Sequence, residues 1–157
     1  FRFASEKARI GFVFGRLGIT PEACSTWFLP RIVGLEQALE WMYSAEIFDA
    51  AEALDRKLVR AVCAPEKLLD EACAFARKLV TDRSPVSVAL IRQMMYRNSA
   101  APSPLDAHRV ESLAMFYTSI GDGKEGVQAF LGKRPPQFSA QASAMPPFFA
   151  PWLDEHA

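Results

Sequence analysis

Hydrophobic and polar positions change period several times along this chain, and each change predicts an element. Phe1, Phe3 and then Ala8, Ile10, Phe12 and Phe14 alternate with other residues, the period of half-buried strands. Two short strands do not make a stable sheet alone, so they are expected to pair with strands outside this chain. From Pro21 the period becomes helical. Thr20 is placed to cap, Pro21 to take the first helical position and Glu22 to sit in the first turn. Leu35, Ala38, Leu39 and Met42 mark the apolar stripe of a helix that reaches Ser44. Asp49 followed by Glu52 reads as a capping box, and Leu58 to Cys63 as another short strand. Pro65 opens a longer helix with Leu68, Leu69, Ala72, Ala76 and Leu79 inward. Ser84-Pro85 and Ser103-Pro104 open two more. Val86, Ala89, Leu90 and Met94 face inward on the first, and on the second Leu105, Val110, Leu113, Ala114 and Tyr117 can face a core or a partner. Asp122 and Glu125 frame a last capping box before Val127, Phe130 and Leu131. The tail from Pro135 holds five of the eleven prolines and cannot be a regular helix. Its Phe138, Phe148, Phe149 and Trp152 favour an arm lying on another surface, since disordered segments are poor in aromatics.

The organisation that follows is a core portion at residues 1–63, a helical region at 64–134 and a proline- and aromatic-rich tail at 135–157. With 157 residues and 18 basic against 18 acidic side chains, the chain suits one ordinary domain or a domain plus an appendage. No basic surplus points to nucleic acid, and no apolar run approaches the roughly 18 residues that span a bilayer. No signal-peptide pattern opens it. Its first residue is Phe1 rather than methionine, which suggests a natural N-terminus further upstream. Cys24, Cys63 and Cys73 have no metal-ligand spacing and are odd in number, so a reducing, cytoplasmic setting is expected. Cys63 and Cys73 read as small buried hydrophobes.

Few residues are placed for chemistry. Glu22 is the leading one: a carboxylate near a helix start, with small Ala23, Ser25 and Thr26 beside it and Phe12, Phe14, Trp27 and Phe28 available as apolar walls. Such a carboxylate is suited to moving a proton next to a carbonyl. It equally serves as a first-turn acid that complements the helix dipole. Cys24 has no histidine near it in sequence to make it a nucleophile. His108 and His156 make no metal site with a carboxylate. The glycines form no dinucleotide fingerprint, and no Gly-x-Ser-x-Gly elbow occurs. Lys124, Lys133 and Arg134 suit either an anionic group or a solvated helix end.

Several segments, in order, carry a resemblance. Ala8-Arg9-Ile10-Gly11 through Gly34, Gln37-Ala38-Leu39-Glu40, Phe48-Asp49-Ala50-Ala51-Glu52-Ala53-Leu54, Leu58-Val59, Ser84-Pro85-Val86-Ser87 and Glu125 through Pro135 resemble the crotonase (enoyl-CoA hydratase/isomerase) superfamily over residues 1 to about 138. The resemblance implies an α/β fold of the ClpP/crotonase spiral type. This chain would supply its mostly helical C-terminal part with a few short strands. The rest of the spiral sheet and the backbone N–H pair that holds the thioester oxygen would lie elsewhere.

In that resemblance Glu22 falls where isomerase-like members place a catalytic acid, after proline in a Pro-Glu or Pro-Asp pair. Hydratases place a glutamate earlier, and there this sequence has Phe14. The implied reaction is a double-bond shift on an enoyl-CoA thioester. Glu22 would take a proton from the carbon beside the carbonyl and return it two carbons away. Phe14 and Trp27 would line the substrate pocket, and Phe130 and Lys133 would contact the CoA part of the substrate. No separate cofactor and no metal are implied, nor a nucleic-acid or membrane partner, and the assembly would be a homo-oligomer, a trimer or a dimer of trimers. Water addition, a non-catalytic scaffold and an inactive fragment remain alternatives. Lys57 stands where the family usually has a helix-ending glycine. A lysine forced there to positive φ would cost about 1 kcal/mol.

Overall fold

The computed structural model describes residues 1–144. The tail residues Phe148, Phe149, Trp152 and His156 lie outside them. The chain divides into two compact units, Phe1–Phe75 and Ala76–Ala157.

The first unit begins with β1 (Phe3–Ser5) and β2 (Arg9–Gly11). The alternation that continues to Phe14 in the sequence does not continue as strand. Phe14 instead starts the short helix α1 (Phe14–Leu17), closed by left-handed Gly18. Gly15 permits this, because a Cβ there would stand 3.0 Å from the Met42 carbonyl oxygen. Next come α2 (Ser25–Val33), α3 (Leu35–Ser44), β3 (Ile47–Asp49), α4 (Ala50–Asp55) and β4 (Ala61–Cys63). β1 pairs in parallel with β4, Ala4 opposite Val62. β2 pairs antiparallel with β3, Ile10 opposite Phe48. Among the described residues each sheet has two strands.

Aromatic stacking dominates the core of this unit. Trp41 lies flat on Phe48 with centroids 4.2 Å apart, and Phe12 stacks on both at 5.8 and 6.2 Å. Leu29, Ala38, Ala50, Ala53, Leu58 and Val59 close around them. The stripe expected on α3 is thus rotated. Ala38 and Trp41 are buried, whereas Leu35 and Leu39 are exposed. Asp49 caps α4 as expected, accepting the Glu52 N–H at 2.9 Å. The reciprocal half of the box is absent among the described contacts. The Glu52 carboxylate instead accepts the indole N–H of Trp41 at 2.8 Å, satisfying a polar group that the core would otherwise leave bare.

Helix α4 ends through Lys57, whose φ is +62° and whose N–H reaches the Leu54 carbonyl at 3.0 Å. This is the left-handed position that favours glycine. Lys57→Gly is therefore expected to stabilise the protein by about 0.5–1 kcal/mol, read as a higher urea midpoint at unchanged slope.

A 3-10 turn, Pro65–Lys67, leads into α5 (Leu68–Val80). No described residue of α5 is fully buried, and Leu69 of its expected stripe is exposed. The second unit is built on α6 (Pro85–Asn98), α7 (Pro104–Ile120) and α8 (Asp122–Leu131). Ser84 and Ser103 cap α6 and α7 by accepting the N–H groups of Ser87 and Leu105, as their Ser-Pro pairs predict. Val86, Leu90 and Ala114 form the core, with Met94, Val110, Tyr117 and Ala140 packed on it. Leu105 and Leu113, read as facing a core or a partner, are exposed. Helix α8 begins hard against the end of α7. A Cβ at Gly123 would fall 2.7 Å from the Thr118 carbonyl oxygen, so only glycine fits.

Candidate active site

Glu22 precedes α2 rather than lying in its first turn. The expected start at Pro21 fails because Ala23 and Cys24 adopt left-handed backbone, φ +52° and +56°, which a right-handed helix cannot include. The turn is held firmly. The Glu22 carbonyl oxygen accepts the Ser25 N–H at 3.0 Å and the Ser25 hydroxyl at 2.6 Å. The Cys24 carbonyl then accepts the N–H groups of Trp27 and Phe28, starting the helix. The main chain of Glu22 is fixed while its side chain is exposed. Among the described residues its carboxylate has no hydrogen-bond or ion-pair partner.

Of the aromatic walls expected around Glu22, Phe12 is used elsewhere in this chain. Phe12 belongs to the Trp41–Phe48 stack. Trp27 packs edge-on against Phe28 at 4.8 Å and carries the Arg31 guanidinium over its face at 3.8 Å. Phe28 itself is exposed. Phe14 is half-buried at the head of α1. No enclosure around Glu22 is therefore made by these side chains alone. Cys24 is an exposed free thiol, and Cys63 and Cys73 are free and half-buried rather than buried.

The end of α8 differs from its sequence reading. Asp122 and Glu125 do not form a capping box. They reach forward along the chain and hold the segment that follows the helix. Asp122 Oδ1 accepts the N–H groups of Ser139 and Ala140 at 3.3 and 3.2 Å. Glu125 takes both guanidinium nitrogens of Arg134, at 2.6 and 2.8 Å, and the Gln137 N–H at 2.7 Å. Arg134 is thus committed to an internal pair. Lys133 is exposed with φ +50°, and Phe130 is 83% exposed. The N–H of Lys133 bonds Phe130 and that of Arg134 bonds Ala129, the double closure of a Schellman end. These partners of Asp122 and Glu125 are 9 to 18 residues away, so no local motif announces them.

Arg134, and next the Gln137 N–H, hold the Glu125 carboxyl down at about 2 instead of 4.5. A depressed carboxyl pKa adds stability above the unfolded value, and that stability is lost as pH falls through the folded one. Acid unfolding of the wild type should therefore include a component between pH 4.5 and 2 that Glu125→Gln lacks. A pH series of thermal midpoints for the two proteins checks this.

No group of three or more His, Cys, Asp or Glu side chains among the described residues is arranged to hold a metal ion. No helix among them is long and apolar enough to cross a membrane.

Residues 1–141 match the family model described as enoyl-CoA hydratase/isomerase. The chain is 37% identical over 140 residues to the enoyl-CoA hydratase AFT3-1 of Alternaria alternata, covering 87% of this chain and 46% of that protein. It is 32% identical over 142 residues to the 1,2-epoxyphenylacetyl-CoA isomerase of Escherichia coli K12, covering 88% and 52%. The solved enoyl-CoA hydratase of Bacillus anthracis superposes with a TM-score of 0.81 at 30% identity, over 90% of this chain and 54% of that one. The chain spans about half the length of the relatives it matches. The fold is therefore crotonase-like, and the chain belongs to the enoyl-CoA hydratase/isomerase family.

Proposed function

We propose that the protein containing this chain shifts a double bond in an enoyl-CoA thioester, with Glu22 as the proton carrier. The chain supplies the C-terminal part of the fold, and the remaining part supplies the thioester oxygen's N–H donors and the dry walls around Glu22. The observation that carries this reading is the Glu22 turn. Its backbone is pinned by Ser25 while its carboxylate stays unpartnered among the described residues. Phe14, where hydratases carry an acid, brings no second carboxylate.

The chemistry needs one base. Glu22 removes a proton from C2 of a 3-enoyl thioester, and the charge moves to the thioester oxygen. Preorganised N–H donors at that oxygen are the usual source of a large rate gain. Glu22 then gives its proton to C4, leaving the double bond at C2–C3. Excluding water keeps the proton on the carboxylate between the two steps. Phe14 and Trp27 border the acyl chain, and Phe130 and Lys133 meet the CoA portion, both being exposed beyond the α8 core. A trimeric assembly fits the exposed apolar side chains of α5 to α8.

Water addition is the second reading, favoured by the hydratase names of relatives at 36–37% identity. Incubating the full-length protein separately with 3-enoyl-CoA and 2-enoyl-CoA distinguishes the two. Isomerisation of the first supports the proposal. Hydration of the second without a shift of the first overturns it, and no turnover of either favours a scaffold.

A further inference from the structure

Glu22 carries the proton in the reaction proposed above, yet among the described residues no side chain orients its carboxylate. An acid–base group is ordinarily aimed by a third group that hydrogen-bonds to it. Here the aim has to come from the main chain to which the side chain is attached. That main chain leads into a costly conformation. Ala23 and Cys24 both have left-handed backbone, φ +52° and +56°, a region unfavourable for residues that carry a Cβ. Neither is glycine, so a group outside the pair has to offset the cost.

Ser25 is placed to do so. Its hydroxyl donates to the Glu22 carbonyl oxygen at 2.6 Å, the short end of the normal range for an O–H···O bond. Its N–H donates to the same oxygen at 3.0 Å. The two bonds close the left-handed pair into a loop with Glu22 at one end and Ser25 at the other. Downstream, the Cys24 carbonyl accepts the N–H groups of Trp27 and Phe28, and Leu29 of α2 is buried in the core of the first unit. The loop is therefore anchored to a packed helix, and the Ser25 hydroxyl carries that anchorage back to Glu22. Among the described residues no other side chain hydrogen-bonds the Glu22 main chain.

We infer that Ser25 is a positioning residue for the proton transfer: through the Glu22 carbonyl it fixes the turn from which the Glu22 carboxylate serves both C2 and C4. Ser25 acts on the main chain and not on the carboxylate, and its role rests on Glu22 being the proton carrier. A group that returns at C4 the hydrogen it took from C2 has to keep its place between two atoms. A displacement of about 1 Å costs up to about 10²-fold in rate. A loosened turn slows the return and gives the carried hydrogen longer to exchange with solvent.

The test compares the full-length wild type, Ser25→Ala and Ser25→Thr on a 3-enoyl-CoA dideuterated at C2. Ser25→Ala is expected to lower kcat by about tenfold, within the range that misplacement gives, with KM and the thermal midpoint little changed. It should also lower the share of product that carries deuterium at C4. Ser25→Thr keeps a hydroxyl on the same carbon and is expected to restore both. A purely structural loss would reduce the amount of active protein and leave the deuterium share as it is in the wild type. A Ser25→Ala protein with the wild-type kcat, or one whose kcat falls at an unchanged deuterium share, would overturn the inference and leave Glu22 in its role. A wild type that does not isomerise the substrate would overturn the reading of Glu22, and this inference with it.

Discussion

Replacing Glu22 with glutamine in the full-length protein is expected to lower the isomerisation rate by about 10²–10⁴-fold, the usual contribution of a positioned acid–base group. Glutamine keeps the shape and polarity of the side chain but cannot hold and return a proton. The loss should therefore fall on kcat with KM little changed. Folding should be untouched, because among the described residues the carboxylate has no hydrogen-bond or ion-pair partner. The turn is held instead by the Glu22 carbonyl oxygen and Ser25. A midpoint of unfolding equal to that of the wild type separates lost chemistry from lost structure. Unchanged turnover would remove Glu22 from the mechanism.

The largest effect on stability should come from Trp41→Ala, about 3–5 kcal/mol. Trp41 is 3% exposed, packs against both Phe48 and Phe12 in a three-ring cluster, and donates to Glu52. Truncation would leave a cavity at the centre of the first unit and a carboxylate without its donor. Trp41→Phe keeps one aromatic ring in the stack and loses the second ring with its N–H, so it should cost less than Trp41→Ala. Urea unfolding of both variants reads the difference. Equal losses would mean that the Glu52 hydrogen bond, rather than packing, carries the contribution of Trp41.

The elements that were legible in the sequence are those whose signals are local. Ser84-Pro85, Ser103-Pro104 and Asp49 each satisfy an N–H two or three residues away, and each cap lies where the sequence puts it. The positive φ at Lys57 was readable only through the resemblance, in which a helix-ending glycine usually stands there. The Glu22 turn was misread because Ala23 and Cys24 carry no mark of left-handed backbone. Only glycine, asparagine or aspartate would have advertised it.

Apolar residues show the same limit. Leu35, Leu39, Leu69 and Leu105 fall at helical spacing yet are exposed. A hydrophobic pattern records that a face is to be covered and not which surface covers it. The clamps of Asp122 and Glu125 were invisible for another reason. Their partners at Arg134, Gln137, Ser139 and Ala140 are brought to them only by the chain's return past α8. As for the site, sequence named Glu22 as the candidate acid, and its carbonyl oxygen holds a turn with Ser25. Of the aromatic side chains named around it, Phe12 is taken by the Trp41–Phe48 stack.

The most direct measurement follows the proton itself. The full-length protein is given a 3-enoyl-CoA dideuterated at C2, and the 2-enoyl product is examined by NMR. A single carboxylate that takes and returns the same hydrogen predicts deuterium at C4. Product carrying only solvent hydrogen at C4, formed equally fast by the Glu22→Gln protein, would contradict the account.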